Sequence, residues 1–357
     1  MNKTMEKETR TSDFFFYNVN NEIKEYNDEE NNKEENNIFL NSFVNIENDK
    51  NTFIVYDDKE EIFSENEWEK IFKSKKNYSD LPIELKKKIN NSLEKGIPEK
   101  LRFKIWKFLS QYDLFKLNYD KNLYENYLEK ENKEIDEIIS KDINRTFIKN
   151  NLITEEIKKK LFNILKVYSI YDREIGYCQG TNFIVLTLLL TIKNEIDSFW
   201  IFVVIMNGKN WRNLFENGTP KLMLLMNKFL DELKKEIHDI YVLLENNDLI
   251  KEFPGIFALY FSNIFSYINI PFQLTNRIYD LFWIYEEKAI IGTLINLFKL
   301  KKNFLLNFNN SDELNLYIRN HLLNDCINDF GIDKIIYKSK NIRKSIHYIS
   351  EREVPIK

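Results

Sequence analysis

Residues 182–192 have the sequence NFIVLTLLLTI, which is apolar at nearly every position. A helix with one apolar face lies at a surface, whereas a helix that is apolar all round is buried on every side. We therefore predict a central, fully buried helix here. Residues 199–206 have the same character and predict a second one.

Amphipathic helices are predicted around this centre. Ile157, Leu161 and Ile164 begin the clearest apolar stripe, and Leu165 and Tyr168 continue it. Thr154 is placed to cap that helix, and the acids at positions 155 and 156 favour its positive end. Similar stripes begin near Trp68 and Leu101. Further helices are predicted at residues 222–233, 274–285, 289–299 and 314–325.

The composition supports long helices with few turns. The 357 residues include only 8 Gly and 6 Pro, while 43% are hydrophobic and 15% aromatic. We predict an all-α fold with one large multi-helical domain at residues 65–345 and a C-terminal tail at 346–357. Residues 1–64 are rich in Asn, Glu, Lys and Asp, which predicts a disordered, low-complexity extension. Two apolar islands interrupt it, at residues 14–17 and 52–56. Each would be a short sticky segment or a strand laid on the domain, or else a peptide that docks a partner.

Several classes of function are excluded. With a net charge of −4, the chain lacks the excess of basic residues that is typical of nucleic-acid-binding proteins. Two cysteines and three histidines, without zinc-ligand spacing, exclude a structural zinc site. The apolar runs are shorter than the about 20 residues that span a bilayer, and no signal sequence is recognisable. We expect a cytoplasmic protein without a transmembrane segment.

The usual catalytic templates are also missing. Gly208 and Lys209 form the only Gly-Lys pair, but Val203 stands where a phosphate loop needs its first glycine. Cys178 is followed by Ile184 where a cysteine phosphatase needs arginine, so we interpret Cys178 as a small buried residue. The chain therefore has no recognisable chemistry of its own.

Two polar stretches remain, each beside a strongly apolar helix. Residues 139–147 have the sequence ISKDINRTF, and residues 175–183 have IGYCQGTNF. Taken singly, Arg145 would be a surface arginine and Gln179 an ordinary loop residue. The glycines beside Gln179 indicate a special backbone angle or a close approach by another chain.

Together these stretches resemble the signature motifs of the TBC domain, the catalytic module of Rab GTPase-activating proteins. The first resembles I-x-x-D-x-x-R and the second Y-C-Q-G, while residues 96–106 resemble the opening G-I-P-x-x-L-R-x-x-x-W. Residues 199–202 and 277–280 resemble later, weaker landmarks. The likeness covers about residues 65 to 330. The chain departs from the family pattern at positions that include Ile148, Arg173, Thr181 and Lys288, none of which is a proposed catalytic group.

The resemblance implies a TBC-type domain that activates a partner enzyme and is not an enzyme itself. Arg145 and Gln179 would enter the active site of a GTP-bound Rab GTPase, Arg145 stabilising charge on the phosphate and Gln179 orienting water. Asp142, three residues before Arg145, would hold the guanidinium or else cap its helix. Tyr177, Gly180 and Asn182 would support the glutamine segment.

Two further residues are candidates for partner contact. Thr146 follows the arginine, and Arg102 would either touch the GTPase or pair inside the domain. No cofactor of its own is expected, since the Mg-GTP is bound by the partner. Association with endomembranes and a role in vesicle trafficking would come through partners. A TBC-like module that binds GTPases without accelerating hydrolysis, and an unrelated helical protein with chance matches, are the alternatives.

Overall fold

The computed structural model describes residues 62–74, 77–147, 153–267 and 270–347. These residues form eighteen α-helices and contain no strand, which confirms the all-α prediction. In chain order the helices are α1 (Glu65–Lys73), α2 (Ile83–Lys95), α3 (Arg102–Leu109), α4 (Tyr112–Lys116), α5 (Leu123–Leu128), α6 (Lys133–Phe147), α7 (Glu155–Tyr171), α8 (Thr181–Ile192), α9 (Glu195–Val203), α10 (Pro220–Glu236), α11 (His238–Asn246), α12 (Phe253–Ser262), α13 (Phe272–Tyr285), α14 (Glu287–Leu305), α15 (Ser311–Asn320), α16 (Leu322–Phe330), α17 (Ile332–Lys338) and α18 (Lys340–Ser345).

Helix α8 is the central helix that the apolar sequence predicts. It packs against α7, α9 and α13, and nearly all of its side chains are buried. Helix α7 begins as expected, because the Thr154 side chain accepts a hydrogen bond of 3.3 Å from the Ile157 amide. Helix α7 also packs on α6, so the first polar stretch, on α6, lies on a neighbour of the helix that leads into the second.

Two predicted helices differ from the structure. Residues 314–325 form α15 and α16 with a break at His321. The buried side chains of α15 are Leu314, Tyr317 and Ile318, whereas those of α16 are residues 322, 323 and 326. On one straight helix these two sets would lie on different faces, so a break is needed to bury both. In residues 199–206, α9 ends at Val203 and a π-helical turn, Val204–Gly208, follows.

Helices α3 and α13 meet at Asp280, which is fully buried on α13. Its carboxylate accepts hydrogen bonds from Arg102 Nε at 3.1 Å and from Trp106 Nε1 at 2.8 Å. Arg277 Nη1 lies 3.6 Å from the same carboxylate. Arg102 is therefore buried in an internal ion pair, which was one of its two predicted roles; contact with a partner has no support in this placement.

One hydrophobic core runs through the described residues, from Phe63 to Ile346. The predicted domain limits at 65 and 345 lie just inside it. The disorder predicted for the N-terminal extension and both of its apolar islands concern residues outside the described part of the chain. Within the described part, every helix is too short or too polar to cross a bilayer.

Candidate functional site

Arg145 lies in the last turn of α6, where a cation is favoured by the helix dipole. Its guanidinium donates two hydrogen bonds to Asp142 Oδ1, from Nε at 2.8 Å and from Nη2 at 2.6 Å. Asp142 is buried, whereas 52% of the Arg145 side chain is exposed. The predicted ion pair is thus present, and it holds an arginine whose outer part faces solvent.

Asp142 also connects the two polar stretches. The Tyr177 hydroxyl donates a short hydrogen bond to the Asp142 Oδ2 atom, while Arg145 occupies Oδ1. Burial, reinforced by the neighbouring carboxylate, raises the pKa of Tyr177 well above its usual value, so the phenol stays a proton donor. The carboxylate therefore fixes the arginine and the segment before Gln179 at the same time.

A second contact joins the same stretches. Asn182 Nδ2 donates to Thr146 Oγ1 at 3.3 Å, and that hydroxyl donates to the Asp142 carbonyl oxygen at 2.7 Å. Asn182 is fully buried at the start of α8. Both Thr146 and Asn182 therefore contribute to holding α6 and α8 together beside the site.

Gln179 lies in the segment of residues 172–180 between α7 and α8, here called the glutamine loop. Its side chain is half-buried and makes no hydrogen bond to any other described residue. A side-chain amide both donates and accepts, so this one is available to orient a water molecule. Asp142 and Tyr177 thus join the helix that carries Arg145 to the loop that carries Gln179.

The glycines of this loop have the special backbone angles that the sequence indicates. Gly176 has a φ of +69° and Gly180 a φ of +97°. At Gly180 the close approach is made by the same chain, since an added Cβ atom would lie 3.1 Å from Asn263 Oδ1. The loop therefore depends on glycine here for both conformation and space.

We expect Gly180→Ala to destabilise the domain by about 1–3 kcal/mol, because alanine is strained at this φ. The measurement is the free energy of unfolding in urea. Gly255→Ala is the matched control: Gly255 lies inside α12, and its added Cβ atom would make only an ordinary 3.7 Å contact with Arg319. The control should unfold no earlier than the parent. Equal stability of the parent and Gly180→Ala would contradict this account.

Three residues that the sequence analysis did not single out also shape the loop: Asp172, Arg212 and Asn263. Asp172 accepts hydrogen bonds from Arg212 Nε at 2.7 Å and Nη2 at 3.0 Å. Arg212 follows Asp172 by 40 residues. The only available signal was an acidic residue at the end of an amphipathic helix, which does not identify its partner.

Both cysteines are free thiols and are buried. Cys178 is buried within the glutamine loop, as predicted for a small packing residue. Cys326 is buried on α16, and burial raises the pKa of its thiol to about 12. Within the described residues, no three His, Cys, Asp or Glu side chains are grouped so as to hold a metal ion.

Comparison with known proteins identifies the class of domain that this fold and site define. The profile of the Rab-GTPase-TBC domain matches residues 99–306. This chain therefore belongs to the Rab-GTPase-TBC domain family. The resemblance seen in the three sequence motifs is thereby confirmed.

Relatives and solved structures agree with this assignment. The chain is 29% identical over 236 residues to the GTPase-activating protein GYP5 of Saccharomyces cerevisiae, covering 62% of this chain and 25% of that protein. It is 30% identical over 223 residues to the human Ecotropic viral integration site 5 protein homolog, covering 61% and 25%. The chain thus spans about a quarter of the length of these relatives.

The fold is shared with solved TBC domains. The Chlamydomonas flagellar RabGAP TBC domain superposes with a TM-score of 0.63 at 18% identity, covering 77% of this chain and 89% of that one. The Ypt/Rab-GAP domain of Gyp1p superposes with a TM-score of 0.57 at 13% identity, covering 85% and 98%. At these identities the likeness concerns the fold alone.

Proposed function

We propose that this chain is a GTPase-activating protein for Rab-class GTPases and supplies Arg145 and Gln179 to the partner's active site. One observation carries the proposal: the Asp142 carboxylate binds both the Arg145 guanidinium and the Tyr177 hydroxyl. This contact ties the arginine to the loop that carries Gln179, which supports a joint role for the two residues. The name of the yeast relative, a GTPase-activating protein, adds support.

In this mechanism water attacks the γ-phosphorus of Mg-GTP on the partner. A bond forms from the water oxygen to phosphorus, the bond to the bridging oxygen breaks, and GDP and phosphate are released. The guanidinium of Arg145 neutralises charge that develops on the phosphate oxygens, and its planar fork can contact two of them. The Gln179 amide accepts from the attacking water and orients it.

The chain itself would bind neither the nucleotide nor the magnesium ion, since both arrive with the GTP-bound partner. Association with a Rab GTPase would bring it to endomembranes and give it a role in vesicle trafficking. Asp142 acts here as a positioning residue. Its buried carboxylate restrains a long, partly exposed side chain that would otherwise sample many rotamers.

We expect Asp142→Asn to lower the stimulated hydrolysis rate by about 10- to 100-fold, because a guanidinium displaced by about 1 Å loses most of its effect. The loss should be smaller than that from removing Arg145. Single-turnover hydrolysis at saturating activator measures it. Glu137→Gln is a control, since Glu137 lies on the same helix and, among the described residues, pairs only with the exposed Lys141, at 3.7 Å. A parental rate for Asp142→Asn would show that the ion pair does not position Arg145.

The proposal is tested by single-turnover GTP hydrolysis with a panel of Rab GTPases and other small GTPases. At least one Rab should hydrolyse GTP faster in the presence of this chain. Binding of GTP-loaded Rab without acceleration would instead identify a non-catalytic binding module. Acceleration that survives in both Arg145→Ala and Gln179→Ala would refute the proposed mechanism.

A further inference from the structure

The glutamine loop is fixed at its first residue by an ion pair from outside the loop. Arg212, in the short helical turn Trp211–Phe215, donates to both carboxylate oxygens of Asp172, at 2.7 and 3.0 Å. Asp172 is buried, and Arg212 is mostly buried. Although burial alone would raise it, the pKa of Asp172 is held below its usual value by hydrogen bonds from Arg212 and the Ile175 amide.

Asp172 in turn accepts hydrogen bonds from the loop backbone. Its Oδ1 atom accepts from the Ile175 amide at 3.3 Å, and its carbonyl oxygen accepts from the Gly176 amide at 2.7 Å. Arg212 Nη2 also donates to Glu174 at 2.8 Å. One guanidinium therefore fixes both the start of the loop and the turn that leads to Tyr177.

The adjacent Trp211 hydrogen-bonds to the helix that precedes Asn263, the residue that contacts the other end of the loop. Its Nε1 atom donates to the Phe261 carbonyl oxygen at 3.1 Å, near the end of α12. Asn263 follows that helix, and its side chain lies against Gly180. The loop is thus held between Arg212 at Asp172 and the Asn263 side chain at Gly180, with Gln179 next to the second contact.

We propose that Arg212 is a positioning residue, which acts through Asp172 to hold Gln179 where it can orient the attacking water. This inference rests on the proposed function. Arg212 itself does not contact the reacting atoms in this account. Its geometry favours arginine over lysine, since a planar fork can contact Asp172 at two points and Glu174 at a third position.

The test compares Arg212→Met and Arg212→Lys with the parent chain in two measurements. Amide hydrogen exchange should be about tenfold faster or more in residues 173–181 of Arg212→Met, with little change elsewhere, because local opening becomes easier. With a responsive Rab, the maximal single-turnover rate should fall by about 10- to 100-fold, while the half-saturating concentration of activator stays nearly constant. Arg212→Lys should recover part of both losses.

A double variant separates positioning from general damage to the domain. In Gln179→Ala, adding Arg212→Met should cause little further loss of rate, because the residue that it positions is already absent. Arg319→Met is the matched control. Its side chain is 27% exposed, against 18% for Arg212, and it pairs with Glu252 at 3.2 Å away from the loop.

The outcomes are distinct. Unchanged exchange in residues 173–181 would overturn the proposal, as would a full additional rate loss in the Gln179→Ala background. An equal rate loss in Arg319→Met would do the same, since it would reveal a general effect. If the parent chain accelerates no GTPase, the proposed function fails, and the role of Arg212 in the reaction fails with it.

Discussion

Arg145→Ala is expected to abolish nearly all of the acceleration of GTP hydrolysis, by about 10³-fold or more. An arginine supplied in trans is worth about 10³–10⁵ in rate, or roughly 4–7 kcal/mol of barrier. The guanidinium would contact charge that exists chiefly in the transition state, so affinity for the GTP-bound partner should change little. Single-turnover hydrolysis over a range of activator concentrations separates these two quantities.

Two further variants sharpen this result. Arg145→Lys should restore only a small part of the rate, because an ammonium acts as a point charge without a fork of donors. Lys141→Ala removes an exposed cation one turn earlier on α6 and should leave the rate nearly unchanged. More than about a tenth of the parental rate in Arg145→Ala would contradict an arginine contribution of the usual size.

The second large effect is on stability, at Asp280. Replacing Asp280 with alanine should lower the free energy of unfolding by about 3–5 kcal/mol, since the buried Arg102 guanidinium loses its buried partner. The Trp106 indole also loses the acceptor that lies 2.8 Å away. Asp280→Asn keeps the shape and one acceptor, so a smaller loss of about 1–3 kcal/mol is expected. Urea unfolding measures both values.

Asp113→Ala is the control for this experiment. Asp113 forms a surface pair with Lys107 at 2.9 Å, its side chain is 75% exposed, and pairs of this kind contribute little to stability. Its unfolding midpoint should match that of the parent chain. A midpoint for Asp280→Ala close to that of the control would mean that the Asp280 carboxylate does not stabilise the domain.

Much of the candidate site was predictable because the contact between Asp142 and Arg145 joins residues that are close in the sequence. Asp142 and Arg145 are three residues apart, and on a helix that spacing places both side chains on one face. The glycines at positions 176 and 180 likewise indicated a special backbone angle, because glycine adopts a positive φ without steric cost. By contrast, the contact of Tyr177 with Asp142 joins residues 35 apart, and periodicity carries no information about such a pair.

Features that depend on residues close together in the sequence were predicted, whereas features that depend on contacts between distant residues were not. Apolar periodicity predicted the amphipathic helices, and the continuous apolar run at residues 182–192 predicted the burial of α8, because both patterns depend only on residues within one segment. Packing between distant segments decided three other features. These are the helix break at His321, the ion pair of Asp280 with Arg102, and the ion pair of Asp172 with Arg212. Arg102 and Asp280 are 178 residues apart, so only the folded chain could show that two family landmarks meet in one buried ion pair.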